Sequence, residues 1–423
     1  MLLNQPVFRW IHKLMDQFDT PILCIRLGPS THVIVVSSPD LACEFLKKQD
    51  EIFISKPDVM SAYLISDGYL TTAMSPFGEQ WRKMKRVINR KMLSSPIHKW
   101  LQPKRDEEAD KLLWYICKQI NKQNPGDLIN VRSVSQHFCG NMIRNMIFGT
   151  RLFGQGTEDG GPGDEETEHD ALIDERIQMW NNGARKGKCD LLDVLINLEY
   201  PNLTPEEIKA QIIELMLATI DNPANTIEWT IGEMINEPTI LKRAAEELDH
   251  VVGRDKLVQE LDLSKLNYLK ACIKEAFRLH PFTPFVPPHV SIEDTTVGGY
   301  FIPKGSHVLL SRFGLGRNPN VWTDPLRFDP DRHLRGERKQ VVLTDEELRM
   351  LPFSTGKRGC PGMMLGMTMT TMLLARMVQG FTWHAPYTEQ RVDLVENHDD
   401  LFLAKPLLAI AKPRLPSYMY PKY

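Results

Sequence analysis

The sequence is short of several things, and each shortage excludes a class. Its seven cysteines are scattered singly, with no CxxC pair and no ladder of close spacings. A disulfide framework and a structural zinc site are therefore not expected, and the usage is that of a reducing compartment. No run between Met1 and Leu27 reaches the ~20 apolar residues of a membrane span, because charged side chains interrupt each one. The basic, apolar and small-residue order of a signal peptide is missing too, so the chain reads as unanchored. A formal net charge of −3 gives no sign of a nucleic-acid or acidic partner. No internal repeat is visible. What is present is ordinary for a globular protein: 42% hydrophobic and 25% charged residues over 423 positions. That is enough to bury a sizeable core, and the chain, residues 1–423, reads as a single domain.

Short β signals open the chain. Ile22–Leu27 and His32–Val36, separated by Gly28-Pro29-Ser30, predict a hairpin. Helical patterns then dominate, as in Asp106–Lys122. Residues 154–169, glycine-rich and acidic, predict a surface loop. The best-defined helix starts at Thr204, an N-cap followed by Pro205 at N1 and by Glu207, which completes a capping box. It extends to Asn236, about 32 residues or roughly 48 Å. Pro223 interrupts it: with no N–H to give the Thr219 carbonyl, it predicts an opened turn, read most simply as a tolerated kink. A second helix, Lys265 to Leu279, carries Glu275 and Arg278 on one face. Alone, such a pair reads as solvated. Val297–Leu310 predicts another hairpin.

The chemistry lies in Pro352-Phe353-Ser354-Thr355-Gly356-Lys357-Arg358-Gly359-Cys360-Pro361-Gly362, ahead of a helical run from Met363 to Val378. Cys360 is thus placed at a helix N-terminus, where free N–H groups favour negative charge. Lys357 and Arg358 add positive charge, which predicts a thiolate accessible near neutral pH. The glycines allow close approach of a flat ligand. A lone cysteine is more often a buried hydrophobe; this setting raises the alternatives of a reactive thiol or a metal thiolate.

Phe353-x-x-Gly356-x-Arg358-x-Cys360-x-Gly362 resembles the haem-binding signature of cytochromes P450, a highly specific pattern. Glu275-x-x-Arg278 resembles the ExxR motif of that family. Phe328-Asp329-Pro330-Asp331-Arg332 resembles its PERF-type segment, with Arg332 completing a Glu–Arg–Arg triad. Trp81 resembles the tryptophan of WxxxR, with Lys85 at the basic position and Arg86 beside it, and His289 resembles a further propionate contact. Asp221-Asn222-Pro223, in place of the usual acid–alcohol pair, is similar to the plant amino-acid N-hydroxylases that make aldoximes. The likeness extends over most of the chain.

The resemblance implies the cytochrome P450 fold, mainly α with small β-sheets. It implies haem b ligated by Cys360, whose thiolate pushes electron density onto iron and favours O–O cleavage. Trp81, Lys85, His289, Phe353, Gly356 and Arg358 would contact the cofactor; Glu275, Arg278 and Arg332 would be structural. The implied reaction N-hydroxylates an L-amino acid twice, then loses water and carbon dioxide to leave an aldoxime. Dioxygen is the oxidant, and electrons come from NADPH through cytochrome P450 reductase at the cytosolic face of the endoplasmic reticulum membrane. Arg82, Lys83, Lys85, Arg86, Arg90 and Lys91 form a candidate docking face or an ordinary solvated one. Asn222, whose amide both donates and accepts, is expected to order a water at the opened turn, with Asp221 as a structural or relay acid. Val286 and Phe402 are implied pocket residues. The chain departs from the family in two ways: it has no membrane anchor or Pro-rich hinge, and at His169-Asp170 it is missing much of the helix pair that roofs the substrate pocket. The alternatives are therefore a haem-binding but catalytically silent truncated protein, or a carbon-hydroxylating monooxygenase.

Overall fold

The computed structural model describes residues 6–122, 128–151, 169–335 and 340–420. The acidic loop, His169 excepted, lies outside them. Among the described residues helices dominate, and nine short strands form three small sheets. The first strands, β1 (Ile22–Leu27) and β2 (Thr31–Val36), pair antiparallel as expected. β3 (Ile129–Asn130) follows, then β4 (His289–Val290), β5 (Thr295–Val297), β6 (Tyr300–Ile302) and β7 (His307–Leu310), and finally β8 (Phe381–His384) and β9 (Leu408–Pro413). The sheet orders are β1-β2-β7-β4, β3-β9-β8 and β5-β6.

The stretch Val297–Leu310 is not one hairpin. β5 and β6 close on Gly298 and Gly299, both at positive φ (56° and 83°), which only glycine adopts without strain. β7 then leaves to lie parallel to β2 and antiparallel to β4. This sets His289 in β4 opposite Val308, and Phe285 opposite Ser311 just beyond β7.

The central helix runs from Pro205 to Asn236 with its capping box complete: Thr204 Oγ1 accepts from Glu207 N at 3.2 Å, and Glu207 Oε2 accepts from Thr204 N at 2.9 Å. Pro223 lies inside it, yet the helix continues. Side chains brace the turns on either side. Asn222 Nδ2 donates to Ala218 O (2.7 Å), Thr219 Oγ1 to Leu215 O (2.7 Å) and Thr226 Oγ1 to Asn222 O (2.9 Å). This helix packs along Val131–Phe148 and against Met363–Gly380 and Asn267–Leu279, forming the main core. Trp229 is fully buried there, its Nε1 donating to Leu401 O at 3.0 Å.

The Glu275–Arg278 pair is fully buried, against the solvated reading of the isolated spacing. Glu275 receives Arg278 (2.7 and 2.9 Å), Arg332 (2.9 Å), His333 (2.8 Å) and the Asp329 N–H (2.9 Å). Arg278 spends its remaining donors on the carbonyls of Gly316, Pro325 and Arg327. Burial alone would raise the Glu275 pKa, but the bonds from Arg278 and His333 overcome it and hold the carboxyl down at about 2. A Cβ at Gly316 would meet Arg278 O at 2.0 Å, so only glycine fits.

Candidate functional site

The loop before Met363 is shaped by its own backbone. Ser354 and Gly356 have φ of 54° and 72°, and a Cβ at Gly356 would sit 2.6 Å from Leu46 O. The Lys357 N–H donates to Asp50 Oδ2 (2.8 Å), and Cys360 N returns to Phe353 O (2.9 Å). The Cys360 side chain is left facing a cavity of about 300 Å³. Phe353 lines the same cavity and meets Phe277 edge to face at 5.6 Å.

The surroundings correct one expectation. Arg358 does not turn to the sulfur; it donates to Ile54 O (2.6 Å), Ser75 O (2.8 Å) and Thr72 O (3.3 Å). Lys357 pairs outward with Glu51. Burial therefore raises the Cys360 pKa, and the Gly362 N–H and Arg312 oppose it only in part. A bound metal cation favours the thiolate at such a site.

The cavity wall is strongly basic. Arg358 and Lys85 stack on the buried Trp81 ring at 4.3 and 4.8 Å, and Lys85 also donates to Lys357 O. Arg312 donates to Leu351 O (2.9 Å) and Thr283 Oγ1 (2.7 Å), and burial pulls its pKa down to about 10. His289 gives Nδ1 to Phe53 O (2.7 Å), leaves Nε2 buried and unpartnered, and is held down to about pKa 3 by burial and by nearby Lys56. Arg358, Arg312 and Lys85 have no carboxylate within ion-pair distance among the described residues. An apolar slot lined by a sulfur and by Arg358, Arg312 and Lys85, with the unpartnered His289 Nε2 outside the lining itself, fits a flat iron macrocycle bearing carboxylates.

Along the central helix Glu214, Ala218 and Asn222, spaced by four, line the same cavity with Thr219 and Thr226. The Asn222 amide nitrogen is committed to Ala218 O, so its oxygen is left free toward the cavity. Asp221 lies on another face, accepting from Gln136 Nε2 at 3.0 Å, and does not line the cavity. Val286 lines it; Phe402 stands one ring behind, against Phe282 at 5.7 Å. Of the basic stretch, Arg82, Arg86, Arg90 and Lys91 are exposed, while Lys83 is bound to Glu207 at 2.7 Å. Sequence reasoning missed Lys56, Arg312 and Glu214. Only Glu214 had a signal, two helical turns before Asn222; its carboxylate ties the Thr72 and Ala73 N–H groups (3.1 and 2.8 Å) to the helix.

Residues 3–160 and 165–412 match the family described as Cytochrome P450. Isoleucine N-monooxygenase 1 of Lotus japonicus is 49% identical over 474 residues, covering 99% of this chain and 88% of that protein. A phenylalanine N-monooxygenase of Prunus mume is 48% identical, covering 99% and 88%. A tyrosine N-monooxygenase of Sorghum bicolor is 45% identical, covering 100% and 84%. A 474-residue alignment exceeds the 423 residues of this chain, so the Lotus protein carries internal residues with no counterpart here. The solved structure of a zebrafish cytochrome P450 with abiraterone superposes with a TM-score of 0.79 at 22% identity, covering 97% of this chain and all of that one.

Proposed function

The chain belongs to the cytochrome P450 family, and from that premise we propose that it is a haem-thiolate monooxygenase that N-hydroxylates an L-amino acid to its aldoxime. The observation that carries the reading is the Cys360 sulfur in a basic cavity that Asn222 also lines, in a chain 45–49% identical to amino-acid N-monooxygenases. Haem b, when bound, supplies the activation of dioxygen. The residues of the chain do the rest. Cys360 ligates the iron; Arg358, Lys85 and His289 receive the carboxylates, with Trp81 holding the first two in place. Gly356 and Phe353 shape the loop beneath.

Asn222 gives one amide hydrogen to Ala218 O, which fixes the orientation of the amide and leaves its oxygen and second hydrogen for the cavity. Through them it accepts from, or donates to, the substrate amino group or a water beside it. Asp221 acts at a distance, holding the helix to Gln136. The exposed Arg82, Arg86, Arg90 and Lys91 form the face for an NADPH-dependent reductase. No helix among the described residues is long and apolar enough to cross a membrane; association with the endoplasmic reticulum is proposed from the family.

The second reading, a haem-binding but silent protein, is favoured by the internal residues missing relative to the Lotus protein and by the exposed apolar side chains Met60, Leu64 and Leu217. An uncovered mouth would admit water to the oxidant. Reconstitution with a plant reductase, NADPH and single amino acids separates the two. The proposal expects an aldoxime from at least one aliphatic or aromatic amino acid. Haem incorporation with no aldoxime from any protein amino acid would establish the silent reading.

A further inference from the structure

Residues 66–78 cross from the helix Met60–Ile65 to the helix Glu79–Val87 in turns and bends, without regular structure. The segment opens on three successive left-handed residues, Asp67, Gly68 and Tyr69 (φ 48°, 76° and 65°), of which only the glycine takes that conformation without cost. Its shape therefore depends on bonds to other elements. On one edge Arg358 donates to Thr72 O and Ser75 O (3.3 and 2.8 Å). On the other, Glu214 of the central helix accepts from two consecutive amides, Thr72 N at Oε2 (3.1 Å) and Ala73 N at Oε1 (2.8 Å). Gln211, one turn back, completes the knot: its Nε2 donates to Glu214 Oε2 (3.0 Å) and its Oε1 accepts from Thr72 Oγ1 (3.0 Å). Thr72, Ala73, Gln211 and Glu214 all line the cavity, whereas Ile213 and Leu217, beside Glu214 on the helix, are exposed. Glu214 thus stands at the rim, where cavity meets solvent, and it is the one acid among the described lining residues.

We propose that Glu214 is a positioning residue, a carboxylate latch that holds residues 66–78 across the rim and limits the passage of water and small molecules to the Cys360 sulfur. The consequence for catalysis, exclusion of water from the oxidant, rests on the haem reading of the cavity; the latch itself does not. Two N–H groups aimed at one carboxylate make charge-assisted bonds, stronger than those between neutral groups. Once they are cut, the segment has no helix or strand of its own to keep it in place, and local opening becomes cheap.

The test compares the haem-supplemented full chain with Glu214→Gln and Glu214→Ala. Hydrogen–deuterium exchange of a peptide containing Thr72 and Ala73 reads the latch, and the rate of carbon monoxide rebinding after photolysis reads access to the iron. Glu214→Gln turns one acceptor oxygen into a donor that faces an N–H group, so exchange at Thr72 and Ala73 speeds up about tenfold, and more in Glu214→Ala. Carbon monoxide rebinds about threefold faster, the scale of one lost hydrogen bond. The haem-thiolate spectrum and exchange in residues 226–236 stay as in the wild type. Wild-type exchange at Thr72 and Ala73 in Glu214→Ala would overturn the proposal. Acceleration spread along the central helix would overturn it too, as the mark of a general support of the fold. Faster exchange with unchanged rebinding would overturn the role at the rim. A wild type without a haem-thiolate spectrum would overturn the haem reading alone, because the exchange comparison still decides the latch.

Discussion

Two buried charge clusters in this molecule are built on opposite plans. Around Glu275 the charges are complete: one carboxylate meets two guanidiniums, an imidazole and a backbone N–H, and all the partners belong to the chain. Around Cys360 they are incomplete. Arg358, Arg312, Lys85 and Lys56 line the cavity with no acid within ion-pair distance of any of them among the described residues, and the buried His289 nearby has an unpartnered Nε2. A cluster that closes on itself supports the fold. One that stays open states the charge of what it is made to hold, here an anion beside a metal-seeking sulfur.

That contrast predicts opposite responses to losing a charge. Glu275→Ala strands Arg278 and Arg332 in the core and should cost about 3–5 kcal/mol in urea unfolding, enough to leave the protein largely insoluble; a stable, soluble variant would break the comparison. Lys85→Met in the open cluster should leave unfolding of the haem-free protein nearly unchanged while haem transfer to apomyoglobin speeds up roughly fivefold. Acid separates the clusters further. Glu275 is held at about 2 against an ordinary 4.5, so its contribution is full above pH 4.5 and is lost as pH falls toward 2. Unfolding followed against pH should therefore show stability falling across that window, and the fall should be absent in Glu275→Gln. The smallest effect is on the central helix. Asn222→Ala should lower the ratio of aldoxime to NADPH consumed by roughly threefold, the scale of one hydrogen bond, while Asp221→Asn, turned toward Gln136, should leave it unchanged.

What the sequence made legible was local. The Thr204 capping box, the β1–β2 hairpin and the Phe353–Gly362 loop are each contained in about a dozen residues, and their chemistry is readable in order. Failures came where distant backbone decided the outcome. Glu275-x-x-Arg278 alone reads as a surface pair; the resemblance implied the triad with Arg332 that the structure shows, and the carbonyls of Gly316, Pro325 and Arg327 that enclose it lie about 40–50 residues onward. Arg358 was expected to lend its charge to Cys360, and the carbonyls of Ile54, Thr72 and Ser75 take its donors instead. Pro223 was read most simply as a tolerated kink, and the helix does run on through it. Lys56 and Arg312 carried no motif, and only the structure brings them to the cavity.

The central claim is that Cys360 holds haem iron as a thiolate. The reduced carbon-monoxide difference spectrum of the wild type beside Cys360→Ala tests it most directly, with circular dichroism as the check on folding. The account predicts a haem-thiolate spectrum in the wild type that disappears in Cys360→Ala while the helical signal persists. A thiolate-type spectrum surviving in Cys360→Ala, or none in a folded, haem-supplemented wild type, would contradict it.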